Sequence, residues 1–150
     1  MKEKFINVFV DRMMNYLNHL PDVDATVGVP YLISNDQPIS YDITGIIGIS
    51  GVRKGCVYFT APKAFLSRLL ILQGEKNLSE ENLLDMAGEI ANTISGNVRS
   101  EFGQNFMISV PIVVKGRLNN MHLPKDTRSY VIPISWKDHT PVLTVSLEDD

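Results

Sequence analysis

Apolar residues return at helical spacing at Phe5, Val8, Phe9, Met13, Tyr16 and Leu17, which predicts an amphipathic helix near residues 3–18 that stops before Pro21. Past that proline the period shortens. TVGVPYLI (26–33), YDITGIIGIS (41–50) and GCVYFTA (55–61) are rich in β-branched and aromatic residues, the composition of strands, and the turn from Gly51 to Gly55 makes the last two a hairpin. Thr60 is placed to cap a second helix, PKAFLSRLLILQ, with Pro62 in its first turn and Gly74 at its end.

Ser79 is the cap expected for the longest helix, in which Leu83, Ala87, Ile90, Ile94 and Val98 form one apolar stripe and Gly103 supplies the stop. Three strands follow: FMISVPIVV (106–114), SYVIPIS (129–135) and PVLTVSL (141–147), the last two joined through KDHT. Between the first two lies a loop, LNNMHLPKDTR, and the acidic Glu148, Asp149 and Asp150 are expected to form a solvated end.

The order helix, strand, hairpin occurs on each side of the second helix. VGVPYLI at 27–33 echoes ISVPIVV at 108–114, an offset of 81 residues that also lays the first helix on residues 84–99 of the long one. The expected fold is therefore α+β: a single domain with a pseudo-two-fold repeat of helix plus three strands. A mostly antiparallel six-stranded sheet would carry the long helices on one face.

Composition narrows the function. With 150 residues and 44% hydrophobic content, the chain can bury one good core. The formal net charge is -3 and the 14 Lys and Arg are scattered, so no footprint for a nucleic acid backbone is present. Cys56, the sole cysteine, sits in the apolar run CVYF and reads as a buried thiol. The start, MKEKFINVFVDRMMNYL, sets Asn7, Asp11 and Arg12 through what would have to be an apolar segment, so neither a signal peptide nor a membrane span is expected and the location expected is the cytoplasm. His19, His122 and His139 share no ligand spacing with one another or with Cys56, and no metal site is expected. The phosphate-binding loops and nucleophile elbow of common enzyme families are missing; GISGVRKG at 48–55 lies between strands and reads as a hairpin turn.

One stretch of the long helix stands out. In GEIANTISGN (88–97), Glu89 and Asn92 fall roughly 60° and about 4.5 Å apart on the face opposite Leu83 and Ile94. Asp85, Gly96 and Arg99 project from the same face. A glycine inside a helix costs about 1 kcal/mol relative to alanine, so Gly88 and Gly96 need a reason, and room for an approaching surface is one. By itself, a polar pair on an exposed helical face is ordinary solvation.

The spacing Gly88-Glu89-x-x-Asn92-x-x-x-Gly96 resembles the signature of the CheX/CheC/FliY family of chemotaxis phosphatases. GISGVRKGCVYFTAP and the strand ISVPIVVKGR directly after the long helix are also similar to that family, the CheX branch most. One departure is Ala91, where the family often has glycine. The resemblance implies a phosphatase acting on the aspartyl phosphate of a phosphorylated CheY-type response regulator, with Glu89 and Asn92 as the functional pair and Asp85, Gly88, Gly96 and Arg99 around them as partner-binding positions. The chain would bind no cofactor of its own, because Mg²⁺ comes with the regulator. In the 81-residue register Val8 and Asp11 take the places of Glu89 and Asn92, so a single site is expected. A homodimer formed through strand edges is also implied. The competing reading is a non-catalytic docking or switch module on the same fold.

Overall fold

The computed structural model describes residues 3–117 and 128–148. All of the loop LNNMHLPKDTR except Arg128, together with His122, Asp149 and Asp150, lies outside the described residues. Helix α1 (Glu3–Asn18) buries Phe5, Ile6, Phe9, Met13 and Leu17, the stripe expected from the apolar spacing. Strands β3 (Ile43–Gly51) and β4 (Gly55–Ala61) form the expected hairpin. Helix α2 (Lys63–Leu72) and helix α3 (Glu80–Phe102) follow.

The entrance to α2 departs from expectation. Thr60 stays within β4, where its hydroxyl accepts hydrogen bonds from the Tyr41 N–H (2.7 Å) and the Thr44 hydroxyl (2.9 Å). Pro62 is the N-cap, with no side-chain acceptor, and the Lys63 N–H donates instead to the Asp42 carboxylate at 2.9 Å. Strand pairing claims Thr60, so a carboxylate from across the hairpin satisfies the open helix end.

The strands expected at 26–33 and 106–114 are each broken at a Val-Pro step. The first becomes β1 (Thr26–Val27) and β2 (Tyr31–Ser34), the second β5 (Phe106–Ile108) and β6 (Ile112–Lys115). Proline lacks the N–H that a ladder needs, so pairing lapses around Pro30 and Pro111 and then resumes. Each pair of fragments keeps one neighbour: β1 and β2 both run along β7 (Arg128–Ser135), and β5 and β6 both run along β3. With β8 (Val142–Leu147), the eight antiparallel strands thus make six ribbons in the order β1/β2, β7, β8, β4, β3, β5/β6.

That order reads the same from either edge when the two halves are exchanged, and the hydrogen-bond register repeats with it. Tyr31 faces Val131 on one edge, and its counterpart 81 residues on, Ile112, faces Ile46 on the other. Val131 pairs with Thr144 as Ile46 pairs with Tyr58. Tyr58 and Thr144 are themselves partners, so the pseudo-two-fold axis passes between them. The helices obey the same offset: Phe5, Ile6, Phe9, Met13 and Leu17 correspond to Met86, Ala87, Ile90, Ile94 and Val98, all buried.

The three helices cover one face of the sheet and share a single core with Ile43, Ile47, Val57, Phe59, Ile132 and Leu143. Phe65 of α2 reaches Phe59 (6.1 Å between centroids) and meets Trp136 edge-on at 5.7 Å. α3 comes closest to the sheet at a pair of glycines. A Cβ on Gly45 would lie 2.5 Å from the Ala87 carbonyl oxygen and 3.0 Å from the Gly88 Cα; one on Gly88 would lie 2.8 Å from Val113 Cγ1.

These contacts rank two substitutions. Gly45→Ala drives a methyl into helix backbone and is expected to lower unfolding free energy by about 1–3 kcal/mol in chemical denaturation. Gly88→Ala meets only the tip of Val113, gains helix propensity, and costs less; pairing it with Val113→Ala restores that loss. Unchanged stability in Gly45→Ala would mean that the helix is not seated on that backbone.

Candidate functional site

The platform for the site is α3, and its ends are well fixed. The Ser79 hydroxyl accepts the Asn82 N–H at 3.3 Å, and Glu80 and Glu81 in the first turn complement the helix dipole. Glu80 also receives Lys63 Nζ at 3.1 Å and Lys115 Nζ at 2.9 Å, which tie α2 and β6 to the start of α3 and hold its carboxyl below the usual carboxylate range. Gly103, at φ 96°, ends the helix.

Within this rod Met86, Ala87, Gly88, Ile90, Ala91, Ile94 and Ser95 are buried, and Glu89 and Asn92 are exposed. Ala91 therefore packs inward and does not crowd the pair. Glu89 shares a cleft of about 240 Å³ with Asp85, Met86 and Asn82 of α3 and with Leu70, Gln73 and Glu75 at the end of α2. Three carboxylates around one small cleft favour a cationic visitor. Its rim is braced: Glu75 accepts the N–H groups of Lys76 and Asn77 at 3.0 Å each, and the Asn82 amide donates to the Asn77 carbonyl at 2.8 Å.

The other candidate positions divide. Gly88 is buried beneath Pro111 and Val113, so its missing side chain serves the seating of α3 on β6; the expectation that it opens space for an approaching surface is corrected. Gly96 has nothing within 4 Å of a built Cβ and is open to an approach. Arg99 lines a separate hollow with Gly96, and its Nε–H donates to the Phe106 carbonyl at 3.1 Å, which anchors β5.

Sequence reasoning counted Tyr16 only as part of an apolar stripe. Its ring packs on the core, and burial pushes its hydroxyl up to about 12, with the Glu89 carboxylate adding to the shift. α1 begins where α3 ends, since Phe5 stacks on Phe102 at 4.2 Å, and its last turns come back beside Glu89. A tyrosine at the margin of an apolar stripe is the only signal the letters carried. The contribution of α2 to the cleft left no local mark at all.

Among the described residues, no group of three or more His, Cys, Asp or Glu side chains is placed to hold a metal ion, and no helix is long and apolar enough to cross a membrane. The profile of the family described as chemotaxis phosphatase CheX matches residues 43–135, which include the exposed pair. No curated protein matches the chain significantly in sequence. Among solved structures, a CheC-like superfamily protein from Shewanella sp. PV-4 is 27% identical over 99% of this chain and 100% of its own, with a TM-score of 0.82. The chemotaxis protein CheX from Vibrio vulnificus is 25% identical over 97% and 99%, with a TM-score of 0.78. A CheX-CheY-BeF3-Mg²⁺ complex from Borrelia burgdorferi is similar at 20% identity over 97% and 98%, with a TM-score of 0.76, a likeness of fold.

The coupling of Tyr16 to Glu89 has a measurable sign. A carboxylate near a phenol disfavours the phenolate, so Glu89→Gln is expected to lower the Tyr16 pKa from about 12 while burial keeps it above the ordinary 10.0. Titration of the tyrosine ring carbons by NMR reads this directly; an unshifted Tyr16 would place the two groups out of contact.

Proposed function

The chain belongs to the CheX family of chemotaxis phosphatases, and from that premise we propose that it hydrolyses the aspartyl phosphate of a CheY-type response regulator in the cytoplasm. The observation that carries the reading is the exposure of Glu89 and Asn92 on a helix that buries Gly88, Ile90, Ala91, Ile94 and Ser95 around them. A rigid mount of this kind can present two side chains to a partner with little freedom left to lose. The choice of partner is supported by the similar protein from Borrelia burgdorferi that was solved with CheY, BeF3 and Mg²⁺.

A lone Glu and Asn on one helix face do not by themselves hold and activate a phosphoryl group, so the reaction needs a shared site. The phosphorylated regulator brings the phosphoaspartate, Mg²⁺ and a lysine that offset its charge; what it lacks is a positioned water. The Asn92 carboxamide accepts a hydrogen bond from that water and holds it in line with the P–O bond, as glutamine does in small GTPases. Glu89 pairs with the regulator's lysine and sets how deep Asn92 reaches. General base catalysis by Glu89 is the poorer assignment, because transfer of a largely dissociative phosphoryl group gains little from early deprotonation of water. Asp85, beside Glu89 in the cleft, adds to the attraction for a cation, and the open surface at Gly96 leaves room beyond Asn92.

Two variants separate the roles. Asn92→Ala is expected to lower phosphate release from the phosphorylated regulator by about 100-fold or more while binding stays near wild type. Glu89→Ala is expected to weaken binding by about 2–5 kcal/mol. Phosphate release and titration of the beryllofluoride-charged regulator measure the two quantities independently. Equal loss of binding in both variants would end the division of labour, and a wild-type chain that binds without releasing phosphate would make the fold a docking module.

The assembly we propose is a homodimer joined at a sheet edge. Both edges carry exposed apolar side chains at pseudo-equivalent positions: Val29 (83% exposed) and Tyr31 on one, Val110 (80%) and Ile112 on the other. Unpaired ladder groups beside apolar side chains favour strand addition by a second copy. Light scattering is expected to give the mass of two chains, and a charge on the edge used, Tyr31→Lys or Ile112→Lys, to return single chains. A single-chain mass for the unaltered protein overturns this assembly.

A further inference from the structure

The exposed face of α3 changes sign along its length. Asp85 and Glu89 come first, Asn92 follows and Arg99 closes the row, all within about 80° of one another around the helix axis. At the rise of an α-helix, Arg99 lies about 15 Å beyond Glu89 and about 10 Å beyond Asn92. Exposed charges so far apart are largely screened from each other by physiological salt, whose Debye length is about 8 Å, so the two acids do not cancel the field of Arg99. Glu101, closer in sequence, is held by Arg12 at 2.6 Å.

Arg99 is also set in place. Its Nε–H donates to the Phe106 carbonyl at 3.1 Å, and among the described residues its two terminal nitrogens make no hydrogen bond or ion pair. One bond thus orients the guanidinium while its end-on fork stays open, the geometry that grips a carboxylate through two parallel N–H···O bonds. A group held this way has little freedom left to lose on binding. Arg99 lines a hollow of about 250 Å³ with Gly96, Ser100, Gly103, Gln104 and Ile108, and it is the one charged group of that lining. Neither glycine has anything within 4 Å of a built Cβ, and the Ser100 hydroxyl turns back to donate to the Gly96 carbonyl at 3.2 Å.

We infer that this hollow is a second docking point for the regulator, taking one of its aspartate or glutamate side chains onto Arg99 while its lysine pairs with Glu89. The inference rests on the partner chosen in the phosphatase reading. Two contacts of opposite sign, about 15 Å apart with Asn92 between them, admit one direction of approach along α3. A regulator laid on in reverse sets lysine against guanidinium and acid against carboxylate. Arg99 is therefore a specificity residue: a receiver domain without an acid at that distance from its lysine is bound more weakly.

Titration of the beryllofluoride-charged CheY-type regulator against variants of the full chain tests this. Arg99→Gln is expected to weaken binding about tenfold and to flatten its salt dependence. Gln104→Glu sets a carboxylate on the lining while sparing the bond to Phe106; it is expected to weaken binding by a similar factor, and it decides the matter if Arg99→Gln loosens β5. Lys137→Gln, an equal loss of charge at an exposed position between β7 and β8, leaves affinity unchanged. Arg99→Glu recovers affinity with one regulator variant in which a surface acid is exchanged for lysine. An affinity indifferent to Gln104→Glu, an equal loss in Lys137→Gln, or no rescue by any such exchange would each overturn the inference. Phosphate release that depends on Asn92 leaves the phosphatase reading standing in those cases, and a chain that binds through Arg99 without releasing phosphate sinks that reading alone.

Discussion

The arrangement of the molecule depends on one contact, the seating of α3 backbone directly on β3 at Gly45. With no Cβ on Gly45, the Ala87 carbonyl and the Gly88 Cα settle where a side chain would otherwise stand. Gly88 in turn lets Val113 and Pro111 close over the helix. Such a contact fixes how the helix is rotated, because any other residue turned toward the sheet would bring atoms into occupied space. Turning α3 by one residue, about 100°, would carry Glu89 under Pro111 and Val113, where a carboxylate has no partner and burial is strongly unfavourable. The outward aim of Glu89 and Asn92 is thus a consequence of packing on the opposite side of the same helix.

The internal symmetry explains why so small a chain holds a broad sheet. Each half contributes a helix, a broken edge ribbon and two inner strands, and neither could bury its own apolar face alone. The halves meet along β4 and β8, whose register places Tyr58 opposite Thr144 at the axis. The two long helices share the core on one face of the sheet, and Arg12 of α1 locks onto Glu101 of α3 at their junction.

Much of this was written plainly in the letters. The apolar spacing gave the two long helices, Pro62 and Gly74 bracketed the second, and the stripe from Leu83 to Val98 is buried along its length. The 81-residue echo, drawn from one shared Val-Pro, holds for the edge ribbons and for the buried positions of both long helices. The inner strands drift from it by a few residues, since Ile46 and Val131 are 85 apart. What periodicity could not carry were contacts between distant segments. Pro30 and Pro111 split strands that read as continuous, Thr60 was taken by Tyr41 and Thr44, and Gly88 proved to answer to β6 rather than to solvent. For the candidate pair, the exposure of Glu89 and Asn92 was legible from their angle to the stripe, whereas Gln73 and Glu75 came to the cleft, and Tyr16 under the influence of Glu89, only through the fold.

The repeat also bears on why a symmetric sheet carries one acidic pair instead of two. Helix α2 interrupts the symmetry, because it follows β4 and sets Leu70, Gln73 and Glu75 beside Glu89 in an open, polar cleft. At the counterpart of Glu89, Val8 is half-buried against Phe5 and Phe102, in walls closed by the β3–β4 turn. A carboxylate there would exchange water for aromatic surface, a loss that a surface position does not suffer. Asp11, the counterpart of Asn92, is exposed but has no acid one turn before it to act with. Duplication therefore supplies two related mounts, and the polar surroundings that α2 creates on one side only decide which of them can hold a charge aimed at a partner.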